Sequence, residues 1–346
     1  MTDSGIELVG INEIADMAGV SRQAVANWRV RFANFPRPVA ELRSGPVFSR
    51  SQVRAWLRTR RLPMAHVVAC INLKGGVGKT HTTVALAEFS SATFNKRVLV
   101  VDLDPQTNAT TMLIGEDKWR KLNKEGHTLA RLFQDALNPD DTRFDLKKTL
   151  QKKVSNVREV RSVDLLPSSL DLIDVQDRLA TVPSGKFYAI NPIDLLRRSV
   201  RDILDDYDLV LIDCPPNLGI VTLNGLRLAN GYVIPTIPDI LSTYGIPQIV
   251  KRVREFSQQV GEPITPLGII VSKFRVQNSL HVKTVEQLRK EQDAPMFKTI
   301  VPESTDISMS AESTLELSTL TQKYGKKDVV DVYKSLTSEL WKKLEA

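Results

Sequence analysis

The 346-residue sequence predicts an α/β protein in which a small N-terminal domain precedes a doubly wound, mostly parallel sheet. Three observations support this prediction. From residue 67 onward, apolar runs of strand length alternate with helical patterns, which is typical of a parallel sheet. A cluster of glycines separates the first of these runs from the helix that follows it. The residues ahead of that run contain arginine but no lysine, which indicates a separate module.

The composition is typical of a soluble globular protein, with 42% hydrophobic and 25% charged residues. No apolar run approaches the roughly 20 residues that a membrane helix requires. The N-terminus has neither the basic region nor the apolar core of a secretory signal, so we expect a cytoplasmic protein with no membrane partner. The formal charge of +7 favours an acidic partner such as nucleic acid.

Residues 1–62 are predicted to form a small winged helix-turn-helix domain. A helix is expected over residues 11–18 and, after a turn at Gly19, a second helix over residues 22–30. Residues 39–48 then predict a hairpin wing, after which a third helix begins.

The second helix of this domain would lie in the major groove of DNA, as in winged helix-turn-helix modules of the MerR or excisionase kind, which the segment resembles. The side chains that it would present to the bases are Arg22, Gln23, Asn27 and Arg29. Ten arginines and five acidic residues give residues 1–66 a formal charge of +5, which suits a phosphate-bearing partner. The alternative is a helical protein-docking domain whose arginines are solvated.

Residues 63–346 are predicted to form the second domain, which begins with a strand, a glycine loop and a helix. Three glycines between residues 75 and 78 separate the strand from the helix. Glycines allow backbone N–H groups to turn toward a phosphate, and the new helix adds unpaired N–H groups and the positive end of its dipole. Lys79 would then reach the β- and γ-phosphates of a nucleotide, and the Thr80 hydroxyl would hold Mg²⁺.

Two later strands are predicted to end in carboxylates. Asp102 and Asp104 close one apolar run, and Asp213 closes another in the manner of a Walker B strand, whose carboxylate helps to hold Mg²⁺. Open α/β sheets bind their ligands at the carboxyl ends of the strands, so all three carboxylates lie where a ligand is expected. An ordinary surface turn and a plain core strand are the alternatives.

The glycine loop reads Lys74-Gly75-Gly76-Val77-Gly78-Lys79-Thr80 and lacks the glycine that the usual Walker A spacing requires at Leu73. With its second lysine, Lys74, and the two aspartate segments, the chain resembles the ParA/MinD family of ATPases, which carry a deviant Walker A motif. The resemblance spans residues 67–344 and implies a P-loop NTPase fold. It also implies that Lys74 acts across a dimer on the partner's nucleotide and that Asp104 orients the attacking water. Together with Lys79, these two residues are the expected catalytic groups.

The resemblance further implies a nucleotide site and a metal site. The expected nucleotide-binding residues are Lys74, Gly75, Gly76, Val77, Gly78, Lys79, Thr80, His81, Asn224 and Pro302, with ATP as the nucleotide. The expected Mg²⁺ ligands are Thr80 and Asp213. His81 departs from the family, which usually repeats threonine at this position, so the contact with the α-phosphate is open there.

As a function, the resemblance implies a DNA-partition ATPase that forms a homodimer with ATP, binds DNA without sequence preference and responds to a ParB-like centromere-binding adaptor. The residues expected to bind that DNA are Lys251, Arg252, Arg275, Lys326 and Lys327, although ordinary solvated faces are the alternative. The N-terminal domain would bind operator DNA, and the protein would associate with the nucleoid. Two other functions fit the same residues: a nucleotide-regulated repressor without turnover, and a related ATPase that positions another cargo or acts at a membrane.

Residues 328–344 predict a final helix with an apolar stripe. Acidic residues are scattered among its lysines, whereas a helix on a membrane surface would be more uniformly basic. We therefore expect this helix to dock onto the sheet.

Overall fold

The computed structural model describes residues 7–18, 22–32, 34–43, 45–59, 65–138, 140–181, 191–312 and 316–345. The chain divides into two compact units. The first comprises the described residues up to Ala65 together with Val200–Asp208, and the second comprises His66–Ser199 and Leu209–Ala346. Among the described residues, none of the helices combines the length and the apolar character needed to cross a membrane.

The first unit contains three short strands and three helices. In chain order they are β1 (Leu8–Val9), α1 (Ile11–Ala18), α2 (Arg22–Arg31), β2 (Ala40–Leu42), β3 (Gly45–Ser49) and α3 (Arg50–Thr59). The Glu13 carboxylate accepts a hydrogen bond from the Gly10 N–H at 3.0 Å, which helps to start α1. Strands β2 and β3 form the predicted hairpin, and β1 adds a third antiparallel strand that the sequence did not indicate.

Aromatic side chains form the core of the first unit. Trp28 on α2 is buried, and its ring centroid lies 5.7 Å from that of Trp56 on α3. The Trp28 Nε1–H donates to a carboxylate oxygen of Asp205 at 2.9 Å. Asp205 belongs to the 3-10 helix Arg201–Asp206, which explains why a segment so late in the chain is part of this unit.

The second unit is built around a six-stranded sheet. Its strands are β4 (His66–Cys70), β5 (Val98–Asp102), β6 (Val163–Leu166), β7 (Leu209–Asp213), β8 (Gly231–Thr236) and β9 (Thr265–Val271). Its helices are α4 (Lys79–Phe94), α5 (Asn108–Ile114), α6 (Glu116–Lys124), α7 (Leu129–Leu137), α8 (Leu146–Thr149), α9 (Leu172–Thr181), α10 (Leu195–Val200), α11 (Ile220–Leu228), α12 (Ile240–Val260), α13 (Ser279–Leu288), α14 (Thr305–Met309), α15 (Leu320–Tyr324) and α16 (Lys327–Leu344).

All six strands run parallel, in the order β6-β5-β7-β4-β8-β9. The central strands are apolar and almost completely buried, as expected when helices cover both faces of a parallel sheet. The predicted α/β fold is thereby confirmed, and β4, which leads into the glycine loop, lies in the middle of the sheet.

The apolar run at residues 297–301 predicts a short strand, and this prediction is wrong. These residues form only irregular hydrogen bonds to the edge strand β9. The Phe297 N–H donates to the Ile269 carbonyl, and the Val301 N–H donates to the Val271 carbonyl, without a regular ladder between them. Between these two bonds, the N–H groups of Lys298 and Thr299 donate to the Glu339 carboxylate of α16, so the segment cannot continue a ladder with β9.

The C-terminal helix α16 packs against α4, and its buried residues belong to the same hydrophobic cluster as side chains of the sheet strands. The expectation that it docks onto the sheet is therefore confirmed. Tyr333, Leu336 and Leu340 from its apolar stripe are buried. The Trp341 Nε1–H donates to the Ser90 hydroxyl of α4 at 3.1 Å. Burial of this stripe within the fold removes the face that a membrane would have to contact.

Helix α4 also contributes a buried ion pair. Glu88 is fully buried, and its Oε1 accepts from the Lys323 ammonium at 2.7 Å and from the Ser155 hydroxyl at 2.6 Å. Its Oε2 accepts from the Tyr324 hydroxyl at 2.8 Å. Both carboxylate oxygens are therefore satisfied, which a charge needs in order to be tolerated in the interior.

We expect Lys323→Met to lower the free energy of unfolding by about 3–5 kcal/mol, because it leaves the Glu88 charge buried without its cation. Lys334→Met, on the exposed face of α16, is the matched control and should change the free energy by less than about 0.5 kcal/mol. Urea unfolding of the two variants checks this, and equal midpoints would contradict the role given to the pair.

Candidate nucleotide-binding site

The loop between β4 and α4 has the shape of a phosphate cradle. Gly76 and Gly78 have φ values of +76° and +85°, a left-handed conformation that glycine adopts without strain. No side chain caps the first turn of α4, so its leading N–H groups stay available for a ligand. The Lys79 ammonium lies over the loop and donates to the Lys74 carbonyl at 3.2 Å.

Two polar side chains that the sequence did not single out fix the loop to the sheet. Asn72 donates to the Pro235 carbonyl at 2.8 Å and accepts from the Lys74 N–H at 3.0 Å. The Ser272 hydroxyl donates to the carbonyl of Val77 at 2.7 Å. Val77 is itself buried, and thus supports the loop from beneath.

The three predicted carboxylates meet beside this loop. Strands β5 and β7 are neighbours, and their register places Asp102 opposite Asp213. Asp102 is buried and accepts from the N–H and the hydroxyl of Thr110 at 2.9 and 2.6 Å. It also accepts from the Asp104 N–H at 3.1 Å. Burial raises the pKa of Asp102 to about 7, although the hydrogen bonds from Thr110 oppose this shift.

Asp104 is held by the segments around it. One of its carboxylate oxygens accepts from the Gln106 N–H at 3.0 Å, and its carbonyl accepts from the Ser168 hydroxyl at 2.7 Å. Ser168 follows β6, and its N–H donates to the Thr110 hydroxyl at 3.0 Å. Asp102, Thr110 and Ser168 therefore form a continuous hydrogen-bonded support for the predicted catalytic carboxylate.

Asp213 is buried, and neither of its carboxylate oxygens has a hydrogen-bond partner in the part of the chain that the structure describes. Burial raises its pKa well above the ordinary value, and the charge of Asp102 adds to this, whereas the nearby Thr80 hydroxyl opposes it. A buried carboxylate of this kind suits a cation. Asp213 and the nearby Thr80 hydroxyl offer oxygen ligands, which fits Mg²⁺, because this ion takes few protein ligands and adds phosphate oxygens and water.

A cavity of about 550 Å³ opens above the loop. The predicted residues that line it are Gly75, Gly76, Gly78, Lys79, Thr80, His81, Asp104 and Pro302. The His81 Nε2 is buried without a hydrogen-bond partner among the described residues, and burial lowers the pKa of its imidazole. The cavity thus brings together most of the residues predicted to bind the nucleotide.

Three predicted nucleotide-binding residues lie outside the lining of this cavity: Lys74, Asn224 and Val77, the last of which is buried beneath the loop. The Lys74 ammonium is 3.1 Å from a carboxylate oxygen of Asp239, which precedes α12. Asn224 is buried in α11, where its amide donates to the carbonyls of Pro192 and Ile220 and accepts from the Leu196 N–H. Because these bonds occupy the Asn224 side chain, it supports the segment around residue 192 and does not reach the cavity in this structure.

The predicted DNA-binding residues belong to separate segments. In the first unit, Arg22 and Gln23 are exposed, Arg29 lies 3.6 Å from Glu41, and the side chain of Asn27 is outside the described part. In the second unit, the candidates are on α12 (Lys251 and Arg252), after β9 (Arg275) and at the start of α16 (Lys326 and Lys327). All five are exposed, and Arg275 forms an ion pair with Glu303.

Comparisons with known proteins agree with this geometry. The AAA_31 family, described as an AAA domain, matches residues 65–265. The chromosome-partitioning ATPase Soj of Thermus thermophilus is 31% identical over 70% of this chain and 82% of its own length. The sporulation initiation inhibitor protein Soj of Bacillus subtilis is 28% identical over 71% of this chain and 87% of its own.

Among solved structures, cobyrinic acid a,c-diamide synthase from Mycobacterium smegmatis, with ADP and magnesium bound, superposes with a TM-score of 0.61. It is 24% identical and covers 82% of this chain and 96% of its own, so it supports the fold alone. Fold, loop and carboxylates together define a P-loop ATPase of the α/β class. Within that class, the chain belongs to the AAA_31 family and is homologous to the Soj and ParA partition ATPases.

The buried charge of Asp213 gives a testable pH dependence. Folding raises the pKa of Asp213, so its protonated form favours the folded state. The contribution of this group to the free energy of unfolding is therefore complete below the unfolded-state pKa of about 3.9, and it is lost as the pH rises through the folded-state pKa. Relative to Asp213→Asn, the wild type should therefore lose stability from about pH 4 upward, by at most about 1.4 kcal/mol per pH unit.

Urea unfolding of both proteins without nucleotide and with a chelator measures this difference. Asp331→Asn, which changes an exposed carboxylate on α16, should run parallel to the wild type across the same range. If the free energy of unfolding of Asp213→Asn changed with pH in parallel with that of the wild type, the buried carboxylate would not lower the stability as the pH rises.

Proposed function

We propose that the protein is an ATP-dependent DNA-partition ATPase. The observation that carries this proposal is that a phosphate-binding loop, Asp104 and the unpartnered Asp213 lie at the same edge of the sheet. Its relatives named Soj support the partition role, since one of them is a chromosome-partitioning ATPase.

In this proposal the loop and Lys79 bind the phosphates of ATP, and Thr80 and Asp213 hold Mg²⁺, which would neutralise charge on the β- and γ-phosphates. Asp104 orients the water that attacks the γ-phosphate. Its hydrogen bond from Gln106 and the support from Ser168 fix that orientation before the substrate arrives, and such preorganisation is the main source of catalysis in phosphoryl transfer.

ATP is proposed to gate a homodimer through Lys74. In the single chain this lysine pairs with Asp239, and both side chains are partly exposed. A partly exposed ion pair contributes at most about 1 kcal/mol, so the phosphates of a partner's nucleotide can compete for Lys74 at little cost. Lys74 would then complete the partner's site, which makes hydrolysis depend on dimerisation.

The dimer is proposed to bind DNA without sequence preference through some of Lys251, Arg252, Arg275, Lys326 and Lys327, because joining two chains doubles the number of phosphate contacts. A ParB-like adaptor would stimulate hydrolysis, and the first unit would bind operator DNA as a winged helix-turn-helix domain. The protein would then associate with the nucleoid. A nucleotide-regulated repressor without turnover is the competing function, favoured by the exposed Arg22 and Gln23 of the first unit.

The two lysines and Asp104 should be separable by substitution. Lys79→Ala should abolish ATP binding, since this ammonium lies over the loop. Lys74→Ala should still bind ATP as a monomer but should not form ATP-dependent dimers. Asp104→Ala should form dimers whose turnover is lower by about 100-fold or more. Nucleotide binding, sedimentation velocity and phosphate release measure the three properties.

Lys118→Ala, which changes an exposed lysine on α6, serves as the control and should behave as the wild type in all three assays. Normal turnover in Lys74→Ala would show that Lys74 does not act across the dimer. Absence of turnover in the wild type, with saturating DNA and adaptor, would favour the repressor.

The first unit should read DNA sequence separately from the ATPase site. In the full chain, Gln23→Ala should reduce discrimination between operator and mutated operator by about 1–3 kcal/mol. Arg58→Ala should instead weaken binding to all sequences and lower the salt slope by about 1. Footprinting and salt-dependent binding test this, and an intact protein that protects no site would mean that the unit has another partner.

A further inference from the structure

The order of the strands indicates in which direction a bound nucleotide would lie across the candidate site. Asp213 and Asp104 follow β7 and β5, which lie on one side of the central strand β4, whereas β8 and β9 lie on the other side. Neighbouring strands are about 4.8 Å apart, so the ends of β5 and β9 each lie about 10 Å from β4, in opposite directions. If the γ-phosphate faces the carboxylates, the α-phosphate and the nucleoside must point toward β8 and β9.

Lys273 stands at that opposite side. It is the second residue after β9 and lines the cavity. Its φ is +50°, a left-handed conformation that costs a residue with a Cβ free energy and that persists only where the surroundings impose it.

The flanking residues impose this conformation. On one side, the Ser272 hydroxyl donates to the Val77 carbonyl of the glycine loop. On the other side, the Phe274 N–H donates to the Val301 carbonyl and the Phe274 carbonyl accepts from the Glu303 N–H. Lys273 is thus fixed between the loop and the segment that contains Pro302, both of which line the cavity.

The ammonium of Lys273 forms no ion pair with the residues that the structure describes. The Glu303 carboxylate forms an ion pair with Arg275 instead. His81 and Glu303 line the same cavity as Lys273. His81 is the residue after Thr80, in the first turn of the helix that follows the phosphate loop.

We propose that Lys273 is a nucleotide-contact residue that binds the α-phosphate, beside His81 and on the side of the cavity away from Asp104. This proposal rests on the proposed function. The chemistry is that of a compact cation on a flexible stem facing a phosphate oxygen. Lys273 supplies the cation at that end of the triphosphate.

The test compares the full-length wild type with Lys273→Asn, since asparagine tolerates the left-handed conformation and removes only the charge. Competition with a fluorescent ATP analogue measures the affinities for ATP, ADP, AMP and adenosine. We expect Lys273→Asn to weaken ATP, ADP and AMP by a similar factor of about 10, to leave adenosine unchanged, and Lys273→Arg to restore binding. Lys283→Asn, on the exposed side of α13, is the matched control and should bind all four ligands as the wild type does.

Three outcomes would overturn the proposal. Wild-type affinities in Lys273→Asn would show that the ammonium contacts no part of the nucleotide. A loss confined to ATP would place Lys273 at the γ-phosphate and reverse the direction of the site. Normal nucleotide binding with weaker binding to duplex DNA would assign the lysine to the DNA surface. Failure of the wild type to bind any nucleotide would refute the proposed function itself, and is thereby distinguished from the other results.

Discussion

The placement of three carboxylates side by side at the ends of β5 and β7 is the constraint on which the site depends. Burial disfavours the ionised forms of Asp102 and Asp213 and raises the pKa of both, and the neighbouring carboxylates add to this effect. Asp102 is compensated by Thr110 and by the Asp104 N–H, but Asp213 is not. A bound cation would offset that cost, so ligand binding and stability are coupled at this edge of the sheet. Asp104 is held beside them by hydrogen bonds from Gln106 and Ser168.

The sequence predicted the parts of this site that are encoded locally. The glycine spacing, the lysines at 74 and 79 and the apolar strands that end in aspartate each belong to one short segment, and the structure places them at one edge of the sheet. The supporting residues could not be found in this way. Asn72, Thr110, Ser168 and Ser272 are ordinary polar residues whose roles arise only when strands far apart in the chain become neighbours. Lys273 was missed for the same reason.

Two other differences have the same physical origin. The apolar run at residues 297–301 suggested a strand, but the Glu339 carboxylate of α16 binds two N–H groups of this run and leaves only irregular pairing with β9. Asn224 matched a family segment, yet its amide is occupied by the backbone near Pro192. In the first unit, local patterns placed the helices and the hairpin correctly, whereas the bond between Trp28 and Asp205 joins residues 177 positions apart and left no local trace in the sequence.

The central claim is that the sheet edge forms one oriented site for ATP and Mg²⁺. A crystal structure of the full chain with a non-hydrolysable ATP analogue and Mg²⁺ tests it most directly. We expect the triphosphate on the glycine loop, with the γ-phosphate and the metal on the side of Asp104 and Asp213 and the α-phosphate within hydrogen-bond distance of Lys273. A nucleotide bound in the reverse direction, or bound elsewhere with the loop empty, would contradict it.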